Sequence, residues 1–174
     1  MHSNNCDGHA EWRPATAADL CDIQKIGDEI HVGLRERPEV FEEKFNLFPH
    51  GCFVLMKCEE VVGYSVSYPW LLKCIPRLNE FVGSLPRSPQ CLFIHDVVVL
   101  QQARGHGAAG VLIALVAKLA ADQGVPNLAL VSVYNTYSLW TRFGFEIVPS
   151  AGLTDKLESY GDTAQYMVRR LELV

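Results

Sequence analysis

At 174 residues the chain is long enough for one domain with a full core and too short for two ordinary ones. Its 49% hydrophobic and 20% charged residues exclude disorder along the whole length. The net charge of −5 comes with no basic stripe, which speaks against a nucleic-acid partner and leans toward a cationic one.

Residues 1–11 are polar and aperiodic and are expected to form a flexible tail, with a single domain over 12–174. WRPATAADLCDIQKIGDEI predicts a short strand, then a helix capped by Thr16 with Asp19 in its first turn. Leu20, Ile23, Ile26 and Ile30 recur along one face of it. Pro38 interrupts the pattern, and VFEEKFNLF predicts a second short helix closed by Pro49 and Gly51. CFVLMK and VVGYSVSYPW read as two strands joined by a tight turn at Cys58–Glu60. Residues 71–91, with Pro76, Gly83, Pro86 and Pro89, make a long connection of the kind that serves as a lid or an insertion. CLFIHDVVVL predicts a central buried strand.

QQARGHGAAG then leads into the helix VLIALVAKLAADQ, where Val111, Leu112, Leu115, Val116 and Leu119 share a face; Gly124 and Pro126 end it. LALVSV is a strand, TYSLWTRF a short helix, and FEIV and AQYMVRRLEL two more strands. The order is β-α-α-β-β-β-α-β-α-β-β, with hairpins early and alternation late. It predicts an α/β fold with a mixed, mostly antiparallel central sheet flanked by helices, rather than a doubly wound sheet. No apolar run approaches the roughly 18 residues of a membrane span, and MHSNNCDGHAEW holds no apolar signal core. A cytoplasmic protein with no membrane partner is expected. The six cysteines, Cys6, Cys21, Cys52, Cys58, Cys74 and Cys91, include no C-x-x-C pair, so free thiols and no metal site are expected.

The segment that carries chemistry runs from Val97 to Leu119: buried strand, glycine-rich turn, apolar helix. Gly105 and Gly107 let the backbone turn sharply and come close to a ligand. Arg104, the N–H groups of about residues 104–109 and the helix start converge on one point, an anion site suited to phosphate or pyrophosphate. A P-loop would need Lys and Ser or Thr after its last glycine, and neither is present. G-x-G-x-x-G matches at Gly105, Gly107 and Gly110, but it lies past mid-chain and the following strand LALVSV carries no acid. The third reading is a loop for the pyrophosphate of coenzyme A.

Here the sequence resembles the GNAT superfamily of N-acetyltransferases. Arg104-Gly105-His106-Gly107-Ala108-Ala109 fits that family's [QR]-x-x-G-x-[GA] motif in one register, and Gln102-x-x-Gly105-x-Gly107 in another. The first register also places Val99 at the family's V-x-P-x-x-R spacing. WRPATAADLCDI is similar to the family's opening strand and helix, and SLWTRFGF to its late F-[YW]-x-x-x-G-F segment. The resemblance implies the GNAT fold and direct transfer of an acetyl group from the cosubstrate acetyl-CoA to a primary amine, with no metal. The pyrophosphate would lie on Arg104, Gly105, His106, Gly107, Ala108 and Ala109. The pantetheine would run beside Val97, Val98 and Val99, with a backbone N–H near Val98 or Val99 on the thioester carbonyl. His106 is either part of that loop's contact or a solvated residue.

An amine of pKa near ~10.4 costs about 4–5 kcal/mol to deprotonate at pH 7, so a base is wanted. His95 and Asp96 are adjacent on the predicted central strand, where alternation points them to opposite faces. His95 resembles, by its position nine residues before Arg104, a proton-removing histidine of the arylalkylamine branch, although the companion position of that branch is Phe93 here. His95 is thus either base or packed core, and Asp96 either an orienting group or a paired structural carboxylate. Trp140 stands four residues before Gly144, where many members of the family carry an acid tyrosine; indole donates but does not act as an acid. Tyr137, one turn earlier, is the substitute acid, and Trp140 a packing or pantetheine contact. Tyr64, Tyr68 and Trp70 either line an acceptor pocket or fill the core, and Arg35 and Arg37 lie where the acceptor site often opens. The acceptor is a small-molecule or peptide amine. A homodimer is compatible with all of this, and so is an acyl-CoA-binding sensor or scaffold without turnover.

Overall fold

The computed structural model describes residues 9–149 and 152–172. The expected tail therefore lies mostly outside the described residues, and the first strand, β1 (Glu11–Pro14), opens one residue inside its limit. Asp19 closes the turn that follows β1: it takes the Thr16 N–H at 2.7 Å and the Thr16 hydroxyl at 2.9 Å, and holds Arg13 at 2.7 and 2.8 Å. Helix α1 (Leu20–Ile30) buries Ile23, Ile26 and Gly27. Helix α2 (Pro38–Leu47) begins on Pro38, the proline expected to interrupt the pattern. Proline's fixed φ and missing N–H suit the first helical position, where that N–H would have no partner.

Strands β2 (Cys52–Lys57) and β3 (Glu60–Trp70) form the expected hairpin, with Cys58 and Glu59 in left-handed backbone at its turn. Then come β4 (Cys91–Val99), α3 (Ala108–Asp122), β5 (Asn127–Ser132), α4 (Tyr137–Arg142), β6 (Glu146–Ile147), a single turn α5 (Thr154–Leu157) and β7 (Gln165–Arg170). One seven-stranded sheet runs in the order β1-β2-β3-β4-β5-β7-β6. Among the described residues, only β4 and β5 pair in parallel. This is the mixed, mostly antiparallel sheet expected. Helices α1 and α2 cover one face at β3, while α3 packs against β1, β4 and β5.

Two local features position the site. First, β4 and β5 pair only from Leu92↔Leu128 to Ile94↔Leu130, although β4 continues to Val99 and β5 to Ser132. The sheet forks beyond Ile94. Second, the β3–β4 register runs Val66↔Asp96, then Ser67↔Ile94, so His95 is an extra residue on β4. Such a bulge breaks the two-residue alternation. His95 and Asp96 consequently both turn to the α1–α2 face, not to opposite faces as alternation predicts.

Residues 71–90 hold no regular element and are pinned to α2 and its approach. The Glu43 carboxylate accepts the N–H groups of Val82 and Gly83 at 2.7 and 2.8 Å, and Asn79 Oδ1 accepts the Arg37 N–H at 2.8 Å. Cys21, Cys52, Cys74 and Cys91 are free thiols, whereas Cys58 is disulfide-bonded, against the expectation for that residue; Cys6 lies outside the described residues. Among the described residues, no helix is long and apolar enough to cross a membrane.

Candidate active site

A cleft of about 710 Å3 runs through the β4–β5 fork. At one end it is walled by Arg104, Gly105 and residues 107–110; at the other by His31, Glu36, His95 and Asp96. Val97, Val98 and Val99 form the side between them.

The first end is main chain. Helix α3 starts at Ala108, three residues earlier than expected, and its first intrahelical bond on this side runs from Val111 N–H to Gly107 O at 3.1 Å. The N–H groups of Ala108, Ala109 and Gly110 precede that bond and so have no intrahelical acceptor. Gly105 and Gly107 sit at φ 84° and 77°, where a side chain is disfavoured, and nothing stands within 4 Å of where a Cβ would be. Arg104 is anchored by its Nε to Val99 O at 2.8 Å. Trp12 Nε1 donates to Ala108 O at 2.8 Å and ties the helix start to β1. Open space, free donors and a helix N-terminus together fit an extended pyrophosphate. His106, within the same turn, is not part of the cleft wall.

Along β4, Leu100 N–H donates to Val62 O at 2.9 Å. Counting back in the antiparallel ladder, Val98 and Asp96 also turn their N–H groups to β3, so Val97 and Val99 present theirs to the fork. Of the two residues expected near the thioester carbonyl, Val99 turns its N–H to the fork and Val98 turns its own to β3.

The second end is side chain. His95 Nε2 lies 2.6 Å from Glu36 Oε2, and His95 Nδ1 lies 3.3 Å from Tyr68 Oη. Glu36 Oε1 also takes the Asn79 N–H at 2.7 Å and faces Lys44 Nζ at 3.4 Å. The side chains of Lys44, Glu36 and His95 are 0, 3 and 1% exposed. Burial alone would raise the Glu36 carboxyl, but His95, Lys44 and the Asn79 N–H outweigh it and bring the pKa down to about 2. Burial also pushes Lys44 below its usual value, against the pull of Glu36. Beside this group, Asp96 receives the Tyr64 hydroxyl on Oδ2 at 2.5 Å and meets His31 Nε2 through Oδ1 at 3.0 Å. Tyr64 and Tyr68 are fully buried behind the wall, so they fill core and steady His95 and Asp96 rather than line a pocket.

Helix α4 turns Thr136, Leu139, Trp140 and Phe143 to the cleft, at helical spacing. Trp140 stacks edge-on with Phe145 at 5.9 Å and donates to Thr136 Oγ1 at 3.2 Å. Tyr137, one turn before Trp140, is 45% exposed and is absent from the cleft wall. Sequence reasoning missed Glu36, His31 and Tyr134. Each lies on an irregular segment or at a helix end, with no motif around it: His31 comes to the cleft at the end of α1, Glu36 on the approach to α2 and Tyr134 on the turn after β5.

A forked mixed sheet with a glycine turn before its central helix defines an acyl-CoA transferase fold, and sequence comparison agrees. The model of the Acetyltransferase (GNAT) family matches residues 18–145, and the chain belongs to that family. Many solved structures share its fold. Ard1 from Thermoplasma volcanium aligns with a TM-score of 0.72 at 15% identity, over 95% of this chain and 99% of that one. N-acetylglutamate synthase from Neisseria gonorrhoeae, complexed with coenzyme A and N-acetyl-glutamate, gives 0.72 at 18% identity, over 95% of this chain and 36% of its own. GphF, a GNAT-like decarboxylase in complex with isobutyryl-CoA, gives 0.76 at 17% identity, over 93% and 100%. At such identities the likeness is one of fold. Among curated proteins, none matches the chain significantly in sequence.

Proposed function

We propose that this protein transfers an acetyl group from acetyl-CoA directly to a primary amine. The observation that carries the reading is the continuous cleft through the β4–β5 fork, with an anion-binding turn at one end and titratable side chains at the other. Bound acetyl-CoA supplies an activated thioester. Arg104 and the backbone of residues 105–110 hold its pyrophosphate, and Trp140 contacts the pantetheine. The N–H groups of Val97 and Val99 are placed to stabilise charge developing on the carbonyl oxygen.

The amine enters from the α1–α2 side, where Asp96 and His95 stand. Ile30, Leu34, Phe41 and Leu78 line that end. Its carboxylates are already engaged, Glu36 by His95 and Lys44, and Asp96 by His31 and Tyr64. A polyamine would need free carboxylates, so an amine carried on an apolar body suits this end better. Release of free thiol from acetyl-CoA across a panel of amines tests the reading. Thiol release with apolar-bodied primary amines is expected. Tight acetyl-CoA binding with no release on any amine would point instead to a binding module without turnover.

A further inference from the structure

His31 ends α1, its N–H bonded to Gly27 O at 2.8 Å, and its ring reaches the cleft opposite β4. We infer that His31, gripped by Asp96 on one ring nitrogen and covered only by the half-exposed Tyr134 hydroxyl on the other, accepts the proton of the attacking amine. This rests on the acetyl-transfer reading above.

The partners determine the tautomer. Burial, then Asp96, push the ionisation of Tyr64 well above its usual value, so its hydroxyl remains a donor to Asp96 Oδ2. Oδ1 is left to accept from His31 Nε2–H. The lone pair is then on His31 Nδ1, which lies 3.3 Å from Tyr134 Oη. The His31 and Tyr134 rings stack at 5.9 Å and 10°, which fixes the imidazole plane. Tyr134 itself sits at φ 52°, left-handed backbone that costs a bulky residue energy, directly after β5 at the mouth of the fork. His31 and Tyr134 both line the cleft.

Each ring has a carboxylate on Nε2 and a tyrosine hydroxyl 3.3 Å from Nδ1, but the His95 side chain is 1% exposed and its Tyr68 is fully buried, whereas the His31 side chain is 14% exposed and its Tyr134 is 50% exposed. The groups that face His31 are Asp96 on β4, Glu36 before α2 and Tyr134 after β5, and Tyr64 on β3 bonds the far oxygen of Asp96. Lys44 on α2 acts on Asp96 and Asp28 on α1 acts on Tyr64. Burial works against a charged ring, but Asp96 and then Glu36 prevail and hold His31 above its usual 6.5. The C-terminus of α1 favours the cation as well. Asp96 is a positioning residue for His31.

The acceptor ammonium displaces the Tyr134 hydroxyl and gives one proton to His31 Nδ1. As the N–C bond forms and the thioester C–S bond breaks, the nitrogen gives up a second proton and the thiolate takes one. The products are the amide, the free thiol and one proton, released from His31 to solvent.

The test combines turnover, binding and titration. Wild-type protein is first shown to release thiol with an amine. His31→Gln should then lower kcat about 10²–10⁴-fold, abolish the acidic limb of the pH–rate profile, and leave acetyl-CoA affinity by calorimetry and the melting temperature nearly unchanged. By NMR the His31 ring should titrate above 6.5 in the wild type, and lower in Asp96→Asn. The kcat limb of Asp96→Asn should move the same way. Full turnover in folded His31→Gln with the limb in place overturns the proposal and leaves acetyl transfer standing. A His31 titration that Asp96→Asn does not move also overturns it. A wild type that binds acetyl-CoA but releases no thiol with any amine sinks both, and does so without any substitution.

Discussion

At the turn before α3 the cleft is walled by main chain from one short stretch, residues 104–110, with open space over its glycines. Under α1 it is walled by side chains drawn from far apart: His31 meets Asp96 across 65 residues, and Glu36 meets His95 across 59. The first end places donors by backbone geometry alone and leaves little to lose if a ligand is absent. The second holds Lys44, Glu36 and His95 almost without solvent, so each charge relies on its neighbour. Substitutions in the turn and in the Lys44–Glu36–His95 group should therefore fail differently, the first in binding and the second in stability.

The largest effect is expected at Glu36. Glu36→Gln leaves Lys44 buried and unpaired, and should cost about 3–5 kcal/mol of stability, read by denaturant unfolding. The same residue sets an acid dependence. Its folded pKa of about 2 lies below the ordinary 4.5, so its stabilisation is complete above 4.5 and fades as the pH falls toward 2. That slope should flatten in the Gln variant. An unchanged melt and slope would break the contrast, because the interlocked end would then be as tolerant as the turn.

Gly107→Asp is next, and should do the converse. Aspartate tolerates left-handed backbone and caps helices well, so the fold should hold. A carboxylate placed at an anion site should weaken acetyl-CoA roughly 10–100-fold by calorimetry, about 1.4–2.7 kcal/mol. Undiminished affinity in the folded variant would sink the assignment of the turn.

Trp140→Ala is expected to lose both kinds of function modestly, because Trp140 lines the cleft and also packs on Phe145. Half-buried, it should cost less than the roughly 3–5 kcal/mol of a fully buried ring, with a few-fold weaker acetyl-CoA. Trp140→Tyr should keep a comparable rate. The smallest effect belongs to Tyr137→Phe: under about 2-fold in kcat, far from the 10²–10⁴ of a positioned acid. A loss of that larger size would mean that the Tyr137 hydroxyl reaches the departing thiolate when acetyl-CoA is bound.

What the sequence determines by itself follows the same division. Helix and strand periods, the caps and the glycine turn are properties of contiguous residues. The element order, the mixed sheet and the family resemblance at residues 104–109 are therefore legible in the chain. The role of Pro38 and the start of α3 are misread from sequence because end effects carry weaker signals than periods. The acceptor end is decided by tertiary structure. One extra residue at His95 puts two neighbouring side chains on the same face, and nothing in CLFIHDVVVL announces a bulge. His31 acquires its partner only because α1 crosses β4, and it is the placement of α4 at the fork that brings Trp140 to the cleft wall. Local backbone preference reaches a few residues along the chain; a paired buried charge depends on which distant segments the sheet brings into contact.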